Sequence, residues 1–150
     1  MSTLKDTLRS DLTEAIRGRD ELRSATLRMT LTAVTNEEVS GTQARQLSDE
    51  EVLTVVTREA KKRREAATAY DDAGRAELAD RERAELGVLE GYLPAQLSDE
   101  ELSALVAAAI TESGAEGPRG IGTAMKAVGP KVGKRAEGGR VAAEVRRQLG

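Results

Sequence analysis

The residue types that usually carry enzyme chemistry are scarce in this chain. Histidine and cysteine are both absent, which excludes imidazole bases, thiolate nucleophiles, disulfides and metal sites built on either ligand. Acidic residues stand at helical spacing beside Lys and Arg, as in Arg81-Glu82-Arg83 followed by Glu85. This pattern is typical of a solvent-exposed helix face. We therefore predict no catalytic residue, no bound metal and no cofactor.

A glycine-rich stretch, residues 114–122, is the next place where a ligand could bind. It lacks the G-x-x-x-x-G-K-S/T pattern of a phosphate-binding loop. No predicted strand precedes it, so a dinucleotide site is also unsupported. The stretch predicts turns around short helices.

Positive charge is concentrated near the C-terminus. Residues 118–150 contain eight Lys or Arg and two Asp or Glu, net +6, whereas residues 1–117 contain 15 and 24, net −9. Such an asymmetry is typical of a surface for an anionic partner, and pairing with acidic residues of the same chain is the alternative. The candidate RNA-binding residues are Lys126, Lys131, Lys134, Arg135, Arg140, Arg146 and Arg147.

Three of these cations, Lys131, Lys134 and Arg135, are predicted to lie in a flexible glycine-bearing turn. The next helix starts just beyond it, and its free N–H groups would also favour phosphate. No aromatic residue is nearby to stack on unpaired bases, so structured RNA recognised by shape fits better than a single strand. A helix-turn-helix DNA-binding motif is weakly supported, because no long polar recognition helix stands out.

A second basic cluster, Lys61-Lys62-Arg63-Arg64, falls in the middle of a predicted helix. Four consecutive residues fan around a helix, so they cannot all share one side. Arg63 falls near an apolar stripe that includes Ala60, and we expect its stem to lie along that surface. The cluster is a secondary candidate patch.

Two helix starts are specified by a repeated sequence. Leu47-Ser48-Asp49-Glu50-Glu51-Val52 recurs as Leu97-Ser98-Asp99-Glu100-Glu101-Leu102. Each copy is a capping box, in which the Ser is the N-cap and the Glu three residues later binds the cap N–H. Ser48 and Ser98 are therefore interpreted as helix caps and not as nucleophiles.

Apolar residues at helical spacing, with no two-residue alternation, predict an all-α fold. The predicted helices span residues 3–17, 20–39, 49–73, 75–92, 99–113, 118–128 and 138–149. We expect Gly18 to end the first helix and Gly129-Pro130 to break the sixth. The second helix has two apolar sides, which implies contact with more than one neighbour.

Pro94 interrupts the helical pattern and disfavours a helical Leu93. We predict an N-terminal domain of about four helices, residues 1–93, and a three-helix tail domain, residues 94–150. No apolar run approaches the roughly 20 residues that span a bilayer, and the acid-containing N-terminus is not a signal peptide. We therefore expect a cytoplasmic protein.

Several motifs along nearly the whole chain resemble the GatB/YqeY family. The most specific is Glu90-Gly91-Tyr92-Leu93-Pro94-Ala95-Gln96-Leu97-Ser98, which is similar to the family's EYLPxQLS. Further matches are residues 12–20, 27–28, 36–39, 59–65 and 130–138. Residues 134–138 read KRAEG where the family has GRADG, and Ala142 replaces its usual Asn. A polar role for that Asn therefore cannot be carried over.

The resemblance implies a helical domain followed by a three-helix tail. The same unit ends the B subunit of glutamine-dependent tRNA amidotransferases, where the tail meets the tRNA elbow. The family is linked to carbon–nitrogen ligase activity with glutamine as amido-N-donor, but that chemistry belongs to domains absent from this sequence. The resemblance implies an accessory module that binds tRNA or other structured RNA, with a possible translation-related protein partner.

Two alternatives remain open. The chain could be a helical bundle that binds a protein and no nucleic acid, using the two-sided second helix. It could also be an independent amide-forming enzyme, but that role needs a nucleophile or an ATP site that the sequence does not reveal.

Overall fold

The computed structural model describes residues 3–150, and these contain helices and no strand. The all-α prediction is confirmed. The α-helices are Leu4–Arg17 (α1), Glu21–Glu38 (α2), Asp49–Asp72 (α3), Ala76–Glu90 (α4), Asp99–Ser113 (α5), Ile121–Val132 (α6) and Gly138–Leu149 (α7). A short 3-10 helix, Pro118–Gly120, precedes α6. Within these residues, no helix is long and apolar enough to cross a membrane.

The chain divides into two compact units, of which the first ends at Leu93 and the second comprises Pro94–Gly150. The first contains α1 to α4 and the second contains α5 to α7. Independent folding of the two units, as domains, stays a prediction.

Helix starts follow the local sequence closely. Ser48 caps α3 and Ser98 caps α5, each through a complete capping box with the Glu three residues later. Thr3 and Asp6 form a third capping box at the start of α1. These short-range hydrogen bonds satisfy N–H groups that the first helical turn leaves without partners.

Each unit is held by its own apolar core. In the first unit, Leu8, Leu27, Val56 and Leu89 are fully buried and come one from each of its four helices. In the second unit, fully buried valines from α5, α6 and α7 belong to one cluster. These three are Val106, Val128 and Val145.

The turn between α1 and α2 begins at Gly18, which ends α1 as predicted and is its C-cap. Gly18 keeps a helical backbone, with φ −79°, and the left-handed position falls on Arg19, with φ 56°. The N–H of Asp20 donates to the Ala15 carbonyl at 2.9 Å, and the N–H of Arg19 donates to the Ile16 carbonyl at 3.1 Å. This is a Schellman motif in which an arginine takes the usual glycine position.

Helix α6 corrects the prediction that Gly129-Pro130 breaks it, because it runs through these residues to Val132. A proline clashes with the Cβ of the residue before it when that residue is helical. Gly129 has no Cβ, so this clash is absent. Val132 is buried one turn after Val128, and this packing holds the last turn in place.

Candidate nucleic-acid interface

Three of the seven candidate cations in the second unit are paired with carboxylates of the same unit. Lys131 lies in the last turn of α6, and not in the following turn as predicted. The Lys131 Nζ lies 2.8 Å from a Glu112 carboxylate oxygen. Two further pairs join Arg140 to Asp99 at 2.9 Å and Arg147 to Glu144 at 2.6 Å. These three cations therefore already have a carboxylate partner within the unit.

The turn between α6 and α7 is held in place by hydrogen bonds, whereas the sequence predicted a flexible segment. The Leu97 N–H donates to the Arg135 carbonyl at 2.7 Å, and the Gln96 amide donates to the Lys134 carbonyl at 3.1 Å. The Arg135 guanidinium donates to the Lys131 carbonyl at 2.5 Å, near the end of α6. Arg135 is exposed and has carbonyl partners, so its charge is not cancelled by these contacts.

The N-terminus of α7 is also less available to phosphate than predicted. A carboxylate oxygen of Glu137 accepts the Gly139 N–H at 2.9 Å. Glu137 therefore serves as the N-cap and places negative charge where an incoming phosphate was expected. The prediction of free N–H groups at this helix start is wrong for Gly139.

The remaining exposed cations are Lys126 and Arg146, together with Arg119 just before α6. Within residues 3–150, none of the three belongs to an ion pair. On α7, Arg146 lies about 100° around the helix from Arg147. That the seven predicted residues share one surface stays a prediction.

Glu144 binds the two side chains of α7, Arg147 and Gln148, that contact Ser103 of α5. Hydrogen bonds from Arg147, and next from Gln148, lower the pKa of its carboxyl to about 2. The Gln148 amide also donates to the Ser103 carbonyl at 2.9 Å. Arg147 is thus part of a helix–helix junction as well as a candidate RNA contact.

The second basic patch, residues 61–64, is not one exposed surface, because Arg63 is buried. Arg63 is only 5% exposed, and its guanidinium lies 3.0 Å from Glu59 and 3.6 Å from Glu85. Arg63 therefore cannot offer its charge to a partner. Lys61 and Lys62 are ion-paired with Glu65 and Glu59, and Arg64 is half-buried.

The same contacts correct the interpretation of Glu85. Its side chain is 11% exposed and links Arg63 of α3 to Arg81 of α4. It does not belong to a solvated helix face. The sequence does not reveal this role, because Glu85 follows Arg81 by four residues, which is the spacing of an ordinary ion pair on a helix surface.

A polar cluster that sequence reasoning missed lies at the end of α4. The Tyr92 hydroxyl donates to Asp11 at 2.5 Å and accepts from Arg23 at 3.1 Å. Burial, and then the Asp11 carboxylate, raise the pKa of Tyr92. Tyr92 belongs to the most specific sequence motif, but its partners are 81 and 69 residues away. Only the fold brings them together.

The described part of the chain contains no group of three acidic side chains placed to hold a metal ion. Its polar clusters are instead ion pairs and hydrogen bonds between helices. The arrangement offers charged surfaces for binding.

Residues 5–149 match the sequence pattern of the family described as Yqey-like protein. The chain belongs to the YqeY-like family. The match covers both units, so the resemblance seen in the sequence motifs is confirmed along nearly the whole chain. No curated protein matches this YqeY-like chain.

Proposed function

We propose that this YqeY-like protein is a non-catalytic accessory module whose second unit binds tRNA or another structured RNA. The observation that carries the proposal is the set of exposed cations without an ion pair, Lys126, Arg146 and Arg119, together with the exposed Arg135, whose hydrogen bonds are to carbonyls. Phosphates bind such groups with release of counterions and with little dependence on base sequence. The family's relation to the amidotransferase B-subunit tail supports RNA as the partner.

The composition of the second unit favours folded RNA over a single strand. Both tyrosines of the chain, Tyr70 and Tyr92, lie outside it, and Phe and Trp are absent altogether. Unpaired bases usually stack on aromatic side chains, whereas duplex RNA is contacted through phosphates and 2′-hydroxyls. Its net charge is only +1, from eight basic and seven acidic residues, so we expect weak and salt-sensitive binding.

A filter-binding titration of tRNA against salt tests the proposal. Lys126→Glu with Arg146→Glu should weaken binding to all structured RNAs and lower the slope of log K against log salt by about 2. The matched control is Arg9→Glu with Arg17→Glu, two exposed positions of α1 that carry the same change of charge. Equal losses in both double variants, or no binding at about 50 mM salt, would contradict the proposal.

A further inference from the structure

One side of α2 is only partly covered by the helices of its own unit. We call Leu22, Ala25, Met29, Ala33 and Asn36 the α2 stripe, because a spacing of three and four residues places them on one face. The Met29 side chain is 52% exposed, and Leu22, Ala25 and Ala33 are half-buried. The stripe extends over about 21 Å, which is four helical turns.

A groove between α2 and α3 continues the stripe. Its volume is about 230 Å³, and it is lined by Ala33, Asn36, Val55, Arg58, Glu59 and Lys62 among others. Pockets for drug-sized ligands usually measure about 300–1,000 Å³. This groove therefore suits one or two side chains of a partner better than a whole small molecule.

Both borders of this surface carry positive charge. Arg28 is exposed on the border away from α3, and within residues 3–150 it has no ion pair. On the α3 border, Arg58 and Lys62 have side chains that are 56% and 70% exposed. Each pairs with a less exposed carboxylate: Arg58 with Glu37, which is 40% exposed, and Lys62 with Glu59, which is 8% exposed and is shared with Arg63. A partner with acidic flanks would complement these borders.

Met29 lies in the middle of the α2 stripe, where it would be the main apolar contact for a partner. An N–H of Arg63 points at the Met29 sulfur at 3.7 Å, and Arg63 is itself fixed by buried carboxylates. Methionine adapts its shape to an apolar partner at low cost. A small residue stands one turn before Met29 and another one turn after it, so a second helix can approach closely.

From these features we propose that the α2 stripe and the adjoining groove bind an amphipathic helix of a partner protein. Its apolar side would pack on Met29, Ala33 and Val55, and its acidic flanks would pair with Arg28, Arg58 and Lys62. Recognition of a helix in an apolar groove, with anchors every three or four residues, is an established binding mode. The surface lies in the first unit and uses none of the cations assigned to RNA.

The test uses the full chain and two synthetic peptides, followed by NMR of the Met and Ala methyl groups. The first is an amphipathic helix of about 18 residues with Leu on one side and Glu on both flanks. The second has Lys at every Glu position. We expect the acidic peptide to shift the methyl signals of Met29 and Ala33, and to bind about tenfold more tightly than the basic one. No shift up to about 1 mM acidic peptide would overturn the proposal.

Variants test whether the peptide binds at the α2 stripe. Met29→Glu should weaken binding of the acidic peptide about tenfold, whereas Val39→Glu should leave it unchanged. Val39 is the matched control because it is an apolar residue just after α2 that is 57% exposed. Equal loss in both variants, or Met29 shifts caused by duplex RNA and not by peptide, would overturn the proposal. The Lys126→Glu, Arg146→Glu protein should bind peptide normally, which separates this site from the RNA proposal.

Discussion

Arg19 holds a left-handed backbone conformation that glycine adopts more easily. At φ 56° a residue with a Cβ is strained by about 1–2 kcal/mol. We predict that Arg19→Gly raises the free energy of unfolding by about 0.5–1 kcal/mol, since the greater freedom of glycine in the unfolded chain offsets part of the relief. Urea denaturation measures this change.

The neighbouring glycine provides the control for that experiment. Gly18 has a helical φ of −79°, and a Cβ there would lie 3.4 Å from the Glu14 carbonyl oxygen. Gly18→Ala relieves no left-handed strain, so it shows the effect of a glycine–side-chain exchange in this turn without that relief. A lower urea midpoint for Arg19→Gly would show that the arginine side chain stabilises the turn by more than the strain costs.

Arg63 differs from other arginines of the first unit in its burial. Removing it leaves the buried carboxylates of Glu59 and Glu85 without their shared cation. We predict that Arg63→Ala lowers the free energy of unfolding by about 3–5 kcal/mol. Arg83→Ala, which removes exposed pairs with Asp71 and Asp80, should cost about 1 kcal/mol or less. Similar losses in the two variants, measured by urea denaturation, would contradict this account.

At the residue scale, sequence reasoning succeeded where the partners are close in the chain. Ser48 and its capping partner are three residues apart, so their pairing could be predicted. Arg63 and Glu85 come from different helices, and nothing in the sequence distinguishes this pair from surface charges. Tyr92 was part of a recognised motif, but its contact with Asp11 depends on the packing of α4 and of α1 against α2.

Among the elements, α6 shows how a proline is tolerated inside a helix. Gly122→Ala should stabilise the second unit by about 0.5–1 kcal/mol, because a Cβ there meets nothing within 4 Å and alanine favours the helix. Gly129→Ala should give no gain or a loss, because its Cβ would clash with Pro130. Far-UV circular dichroism during urea denaturation compares the two. A gain at Gly129 equal to that at Gly122 would show that the missing Cβ does not explain the unbroken helix.

The junction of α5 and α7 should be sensitive to acid. The pKa of Glu144 is about 2 in the folded protein, against 4.5 ordinarily. The unfolded chain therefore binds more protons between these values, and the stability that Glu144 contributes is present above about pH 4.5 and is lost as the pH falls towards 2. Glu144→Gln should be less stable at pH 7 and should lose less stability on acidification. Thermal unfolding at several pH values measures both effects, and parallel pH profiles for the two proteins would contradict the assignment.

The helices could be predicted from apolar spacing and caps, and most predicted helix ends agree with the structure within two residues. The bounds of α5 and α7, residues 99–113 and 138–149, were predicted correctly because a cap or a glycine marks their ends. The end of α6 was wrong because the burial of Val132 outweighs the usual effect of Pro130. That outcome depends on tertiary packing, which no local pattern shows.

Considered as a whole molecule, the charge asymmetry was less informative than the sequence suggested. The second unit begins at Pro94, and residues 94–117 contribute five acidic residues and no basic one. Two of these, Asp99 and Glu112, neutralise Arg140 and Lys131. The net +6 of residues 118–150 thus becomes +1 for the folded unit. Charge has to be counted over whole units, and the boundary predicted at Pro94 already allowed that count.

The positions of Tyr70 and Tyr92 make the second unit spectroscopically silent. These two are the chain's full complement of aromatic residues, so near-ultraviolet absorbance and tyrosine fluorescence report on the first unit alone. The far-ultraviolet helix signal records both. Heating the intact protein while following the two signals together would therefore resolve the melting of each unit without cutting the chain, and coincident curves would mean that they melt as one.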